Sequence, residues 1–267
     1  MVGDGGMGRW PDLPEPRDLD LGGRRLSYRD FGSGRPVLAL HGLFSEGRAF
    51  ARLAAALAPR WRVIAPDQRG HGWSDPAPPY TREGFLGDIV ALLDHLGIAR
   101  LPIVGHSLGG ANAYQLAARR PDRVSALVVA DVGAVIEADL SFARAWPRRA
   151  ATREQFLDGL GFLGPYLVDG VCEHPDGWGL SCRVEEALDT QQLLNGDHWA
   201  DWLAVCCPTL LIAGSDSFVL SADHAAEMVA KLPRASLTVL PGGHFVHDDD
   251  EAGFAAAVRS FLDATAA

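Results

Sequence analysis

Gly105-His106-Ser107-Leu108-Gly109 stands between a short apolar run, Leu101-Pro102-Ile103-Val104, and a stretch of helical composition that ends before Pro121. The apolar run reads as a buried strand and the stretch after it as a helix. A Gly-x-Ser-x-Gly at such a junction makes a turn so tight that side chains on its outer positions would strike the strand and helix it joins. Glycine therefore stands two places before and two after the serine. Ser107 is then pushed out at the top of a sheet on strained backbone, the arrangement of a nucleophile elbow.

Outward from this turn, β-prone runs alternate with helical patterns. Strands are expected near residues 25–30, 37–40, 62–66, 101–105, 124–130, 209–214 and 237–241. Helices are expected near 47–58, 81–96, 107–119, 222–232 and 251–264. Alternation of this kind predicts an α/β fold, a mostly parallel central sheet flanked by helices, with ligands bound beyond the carboxyl ends of the strands. The alternation breaks over residues 134–203, where Trp146, Phe156, Phe162, Tyr166, Trp178, Trp199 and Trp202 punctuate a helical pattern. That stretch is too long for a plain connection and predicts an inserted helical cap. The expected organisation is a disordered tail over 1–17, a core over 18–133 and 204–267, and the cap over 134–203. The aromatics of the cap read mainly as core filler.

Bulk properties narrow the function. The chain has 267 residues, 48% of them hydrophobic, enough for one large α/β domain with an insertion. A net charge of −10 without a basic cluster argues against nucleic-acid and anionic-membrane partners, and leaves a small-molecule substrate. No run approaches the length of an apolar membrane span. The four cysteines, Cys172, Cys182, Cys206 and Cys207, form no C-x-x-C pair. Adjacent cysteines do not readily bridge, so free thiols are expected. With no apolar stretch of a signal peptide at the N-terminus, a cytoplasmic location is expected. The sequence leaves the oligomeric state open.

A serine hydroxyl needs a base, and the base needs a group to orient it. His244, in Leu240-Pro241-Gly242-Gly243-His244-Phe245, directly follows the last expected strand and is the candidate base. The oxyanion of a reacting carbonyl needs backbone N–H donors. Leu108, at a helix start, is one candidate. Leu43, in the loop His41-Gly42-Leu43-Phe44, is the other, with Phe44 as the fallback. His106 reads as packing or pocket wall. The run Asp248-Asp249-Asp250-Glu251 reads as carboxylates favoured at a helix N-terminus. His174, His198 and His224 lack metal-ligand spacing, and no metal or cofactor is expected. Gly32-Ser33-Gly34 reads as a hairpin turn.

Taken together, the His41-Gly42 loop, the octapeptide Asp67-Gln68-Arg69-Gly70-His71-Gly72-Trp73-Ser74, the Ser107 turn and the late His244 resemble the α/β-hydrolase superfamily from about Asp18 onward. The resemblance implies that Asp67, Arg69 and His71 brace loops beside the site. It also implies an acid in a G-x-x-D pattern, yet this chain reads Gly214-Ser215-Asp216-Ser217, with serine in the expected slot. Two carboxylates remain open: Asp216, one place early, and Asp131, at the end of the preceding core strand, where some relatives supply it. The implied activity is cofactor-independent serine hydrolysis of a small or medium, mainly apolar ester, thioester or lactone. Carbon–carbon bond hydrolysis of a diketone with the same residues is an alternative. A non-catalytic ligand-binding module on this scaffold is another.

Overall fold

The computed structural model describes residues 13–266. Strands β1 (Arg17–Asp20), β2 (Arg25–Phe31), β3 (Arg35–Leu40), β4 (Trp61–Pro66), β5 (Leu101–His106) and β6 (Val124–Ala130) come first. An excursion follows that carries the short strands β7 (Val135–Ile136), β8 (Val171–His174), β9 (Gly177–Leu180) and β10 (Gly196–Asp197). The chain then returns with β11 (Thr209–Gly214) and β12 (Ala235–Leu240). One eight-stranded sheet runs β1-β2-β4-β3-β5-β6-β11-β12. Strand β2 is antiparallel to β1 and β4, and every pair from β4 to β12 is parallel.

The sheet is buried on both faces, as its near-continuous apolar strands require. Side chains alternate between two clusters. Leu38, Leu40, Ile103, Leu127, Val129 and Leu211 face helices α2 (Arg82–His95), α3 (Leu108–Arg119) and α7 (Ala222–Lys231). Val37, Ala39, Val104, Val128, Leu210 and Ile212 face α1 (Ala51–Leu57) and α9 (Glu251–Thr265). Side-chain caps start three of these helices: Thr81 accepts from Gly84, Ser221 from His224 and Asp250 from Gly253.

The excursion between β6 and β11 contains α4 (Arg153–Gly159), α5 (Val184–Leu194), α6 (Trp199–Leu203) and several 3-10 turns. It is not purely helical as expected, because β7 pairs with β10 and β8 with β9 as antiparallel ladders. A third apolar cluster, with Phe156, Leu160, Leu167 and Leu188, lies within it and takes in Phe44 from the core. Phe156 and Trp202 are buried as filler, whereas Phe162 is 71% exposed.

Two further readings are corrected. The tail expected over 1–17 falls outside the described residues as far as residue 12, but Arg17 already pairs with Tyr28 and adds an edge strand to the sheet. Gly32-Ser33-Gly34 is not a hairpin turn, since β4 lies between the strands it joins. A short helix α8 (Val246–Asp249) follows the His244 loop. Among the described residues, no helix is long and apolar enough to cross a membrane.

Candidate active site

The loops leaving the carboxyl ends of β3, β5, β6, β11 and β12 meet at one edge of the sheet, where doubly wound folds bind ligands. Ser107 sits between β5 and α3 with φ 52° and ψ −117°. A Cβ on Gly109 would run into the carbonyl oxygen of Leu40, and one on Gly105 into that of Gly109, so both positions exclude a side chain. From Ile103 to Ala117 only Ser107 is not buried. The expected turn is therefore formed, with its serine turned outward.

His244 Nε2 lies 3.0 Å from Ser107 Oγ, and His244 Nδ1 lies 2.8 Å from Asp131 Oδ2. Asp131 is fully buried and follows β6 with φ 51°. Its other oxygen, Oδ1, accepts from the Gly214 N–H at 3.0 Å. Asp216, the competing acid, is exposed, and its carboxylate accepts from the adjacent Ser215 hydroxyl at 2.8 Å. The expectation for Asp216 is thus corrected: its side chain is engaged on the surface, while the loop after β6 delivers Asp131 to the imidazole. Phe44, Ser107 and Asp131 are the non-glycine residues with positive φ among the described residues, and all three belong to this edge. Such conformations cost about 1–3 kcal/mol each and persist where the surroundings over-determine them.

Beneath the loop after β3, a buried network fixes the main chain. Gln68 N–H donates to His41 Nε2 at 2.9 Å, leaving the His41 proton on Nδ1, which is 2.8 Å from the Gly42 carbonyl. Burial, with His71 beside it, pushes the His41 imidazole down to about 3. Gln68 also donates to the His41 carbonyl, and Asn112 and Arg82 extend the chain of hydrogen bonds. Asp67 accepts from the N–H groups of Gly47 and Trp73, and Arg69 pairs with Asp88. These contacts hold the loop that carries Leu43, which is partly exposed, and Phe44, which is buried. Leu108 opens α3, so its N–H lies in the first turn, where no intrahelical acceptor exists.

His106 is buried, and its Nε2 donates to the His244 carbonyl at 2.9 Å. Burial, then the neighbouring His247 and His244, hold its imidazole well below the ordinary range and therefore neutral. It props the His244 loop from below and is covered from the bulk. Asp249 is a second prop that the sequence hides inside an acidic run. Its carboxylate accepts from Gly243 N–H at 2.7 Å and from the Tyr166 hydroxyl of the excursion at 3.0 Å. Tyr166 also stacks on Phe245 with centroids 4.6 Å apart. Across the histidine, Phe218 lies 5.8 Å from the His244 ring and meets Phe162 edge-on at 6.4 Å. Among the described residues, no group of three or more His, Cys, Asp or Glu side chains is placed to hold a metal ion.

A serine, an imidazole and a buried carboxylate in this order can pass a proton from hydroxyl to leaving group. Comparison with known proteins agrees with the class. The family model described as "alpha/beta hydrolase fold" matches residues 35–162. A 2-(acetamidomethylene)succinate hydrolase of Mesorhizobium japonicum is 30% identical, the match covering 93% of this chain and 95% of that protein. An sn-1-specific diacylglycerol lipase of Mus musculus is 29% identical over 92% of this chain and 87% of its own length. The crystal structure of E-2-(acetamidomethylene)succinate hydrolase superposes with a TM-score of 0.86 at 28% identity, covering 93% of this chain and 99% of that one. With its parallel sheet, its serine turn and these full-length likenesses, the chain belongs to the α/β-hydrolase superfamily.

Proposed function

We propose that this hydrolase is a cofactor-independent serine hydrolase that works through an acyl-enzyme on Ser107. The observation that carries the reading is the Ser107–His244–Asp131 relay at 3.0 and 2.8 Å, built on two residues held at positive φ. His244 Nε2 takes the Ser107 proton as Oγ attacks the substrate carbonyl. The tetrahedral oxyanion sits against the N–H groups of Leu43 and Leu108, each worth roughly 2.7–4 kcal/mol of barrier. His244 returns the proton to the leaving group, and water, deprotonated by the same nitrogen, then releases the acid. Asp131 keeps the imidazole in the tautomer with Nδ1 protonated and stabilises the imidazolium.

The substrate we favour is a small or medium ester, thioester or lactone with an apolar portion, enclosed by the excursion acting as a cap. The aromatic surroundings of His244, namely Phe218, Phe162 and the Tyr166–Phe245 stack, support that choice. A second reading, cleavage of an N-acyl bond, is favoured by the full-length likeness to a hydrolase whose named substrate carries an acetamido group. Fluorophosphonate labelling followed by a panel of p-nitrophenyl esters and matched anilides tests both. Label and turnover that vanish together in Ser107→Ala support the mechanism, and the ester-to-anilide ratio separates the substrates. Folded wild-type protein that neither labels nor turns over would refute the mechanism.

A further inference from the structure

The geometry points to Ser217 as a positioning residue for Asp131. This rests on the acyl-transfer reading above. Ser217 Oγ donates to Asp131 Oδ2 at 2.5 Å, the same oxygen that takes His244 Nδ1 at 2.8 Å. The hydroxyl in turn accepts from the N–H groups of Val219 and Leu220, both at 3.1 Å. With both lone-pair directions used by the main chain, its single proton is directed onto the carboxylate. A purely turn-forming serine explains the two accepted bonds but not the destination of that proton.

The same turn holds the other carboxylate oxygen, since Gly214 N–H donates to Asp131 Oδ1 at 3.0 Å. Residues 214–217 thus grip Asp131 at both oxygens, and His244 is the third donor. A hydrogen bond shared with Ser217 spreads the charge on Oδ2 and weakens its pull on the imidazolium. Removing it should let His244 hold its proton to higher pH while the carboxylate loses orientation. The groups around the His244 ring are Asp131 at the end of β6, Ser107 and His106 at the end of β5, Phe218 after β11 and Phe245; His247 lies beyond His106.

The test uses the full chain. In Ser217→Ala, kcat should fall about fivefold, the scale of one lost hydrogen bond, and the acid limb of kcat/KM should move up by about half a pH unit. Ser217→Thr, which keeps the hydroxyl, should restore both. The low-field proton resonance of the His244 Nδ1–H should move in Ser217→Ala and return in Ser217→Thr. That signal needs no substrate, so it reports on Ser217 even if wild-type protein fails to label or turn over and the hydrolase reading falls. A resonance and an acid limb both unmoved in Ser217→Ala overturn the positioning role, whatever happens to the melting temperature.

Discussion

An orienting carboxylate has to reach one nitrogen of one ring, and the chain offers Asp131 and Asp216 for that purpose. Only Asp131 lies within 2.8 Å of His244, while Asp216 is occupied at the surface by Ser215. Asp131→Asn is expected to lower kcat by about 10⁴-fold through the wrong imidazole tautomer, and Asp216→Asn to stay within about twofold of wild type. Steady-state kinetics on one p-nitrophenyl ester decides this, and comparable losses in the two variants would contradict it. Ser107 and His244 were legible in the sequence because a tight turn and a strand-end loop leave local signatures. The choice of acid was not, since it depends on which of two loops the sheet brings to the ring. The roles of His106 and Asp249 were equally hidden, because each acts on a main-chain group remote in sequence or masked by a charge run. Single residues also set the pH dependence of stability. His41 is pushed down to about 3, so between the unfolded value near 6.5 and that figure the unfolded chain binds a proton that the folded chain refuses. Its contribution is complete above pH 6.5 and is lost as pH falls. His41→Gln should flatten the decline of denaturation free energy between pH 6 and 4 by about 1.4 kcal/mol per pH unit, whatever it does to stability at pH 7. An unchanged slope would remove His41 from the account.

Elements place these residues, and their existence was easier to read than their ends. All seven expected strands are present within two residues at each edge, because buried parallel strands are written as short apolar runs. Strand β1 carries no such signature, as Arg17-Asp18-Leu19-Asp20 is an exposed edge whose pairing to β2 needs no apolar pattern. The ladders β7–β10 and β8–β9 leave none for a related reason: each is only two or four residues long, below the reach of any periodicity. Where the excursion meets the loop after β3, Gly170 packs against the main chain, and a Cβ there would collide with the Phe44 carbonyl oxygen. Arg48 locks the same junction by donating to the carbonyls of Asp169 and Val171 at 2.9 and 3.0 Å. Gly170→Ala is therefore expected to displace Phe44 and with it the Leu43 N–H. The loss in kcat should approach the 10²–10³-fold associated with one oxyanion donor, with circular dichroism unchanged. A variant with normal kcat would show that this loop does not hold the oxyanion.

At the scale of the whole molecule, the core presents five strand ends and the excursion supplies a second wall. The two walls meet beside His244 through exposed aromatic side chains. Phe162, from the excursion, is 71% exposed and Phe218, from the loop after β11, is 68% exposed; their rings meet at 6.4 Å, with Phe218 5.8 Å from the His244 ring. Composition predicted that aromatics would gather in the excursion, yet not which would stay uncovered, since that depends on how the two walls face each other. Large apolar rings left in water at a site mark a surface that gains by covering a ligand. Burying part of one such ring against a substrate chain is worth about 1.5 kcal/mol, close to a factor of ten in kcat/KM. Phe162→Ala and Phe218→Ala should therefore each lower kcat/KM for p-nitrophenyl octanoate about tenfold and leave the acetate within about twofold. Because the two rings touch, the double variant should lose less than the product of the single losses. A chain-length panel on the three variants checks this. Equal losses on acetate and octanoate would mean that the rings support the His244 loop instead of the substrate, and no loss on either would place the apolar group of the substrate elsewhere.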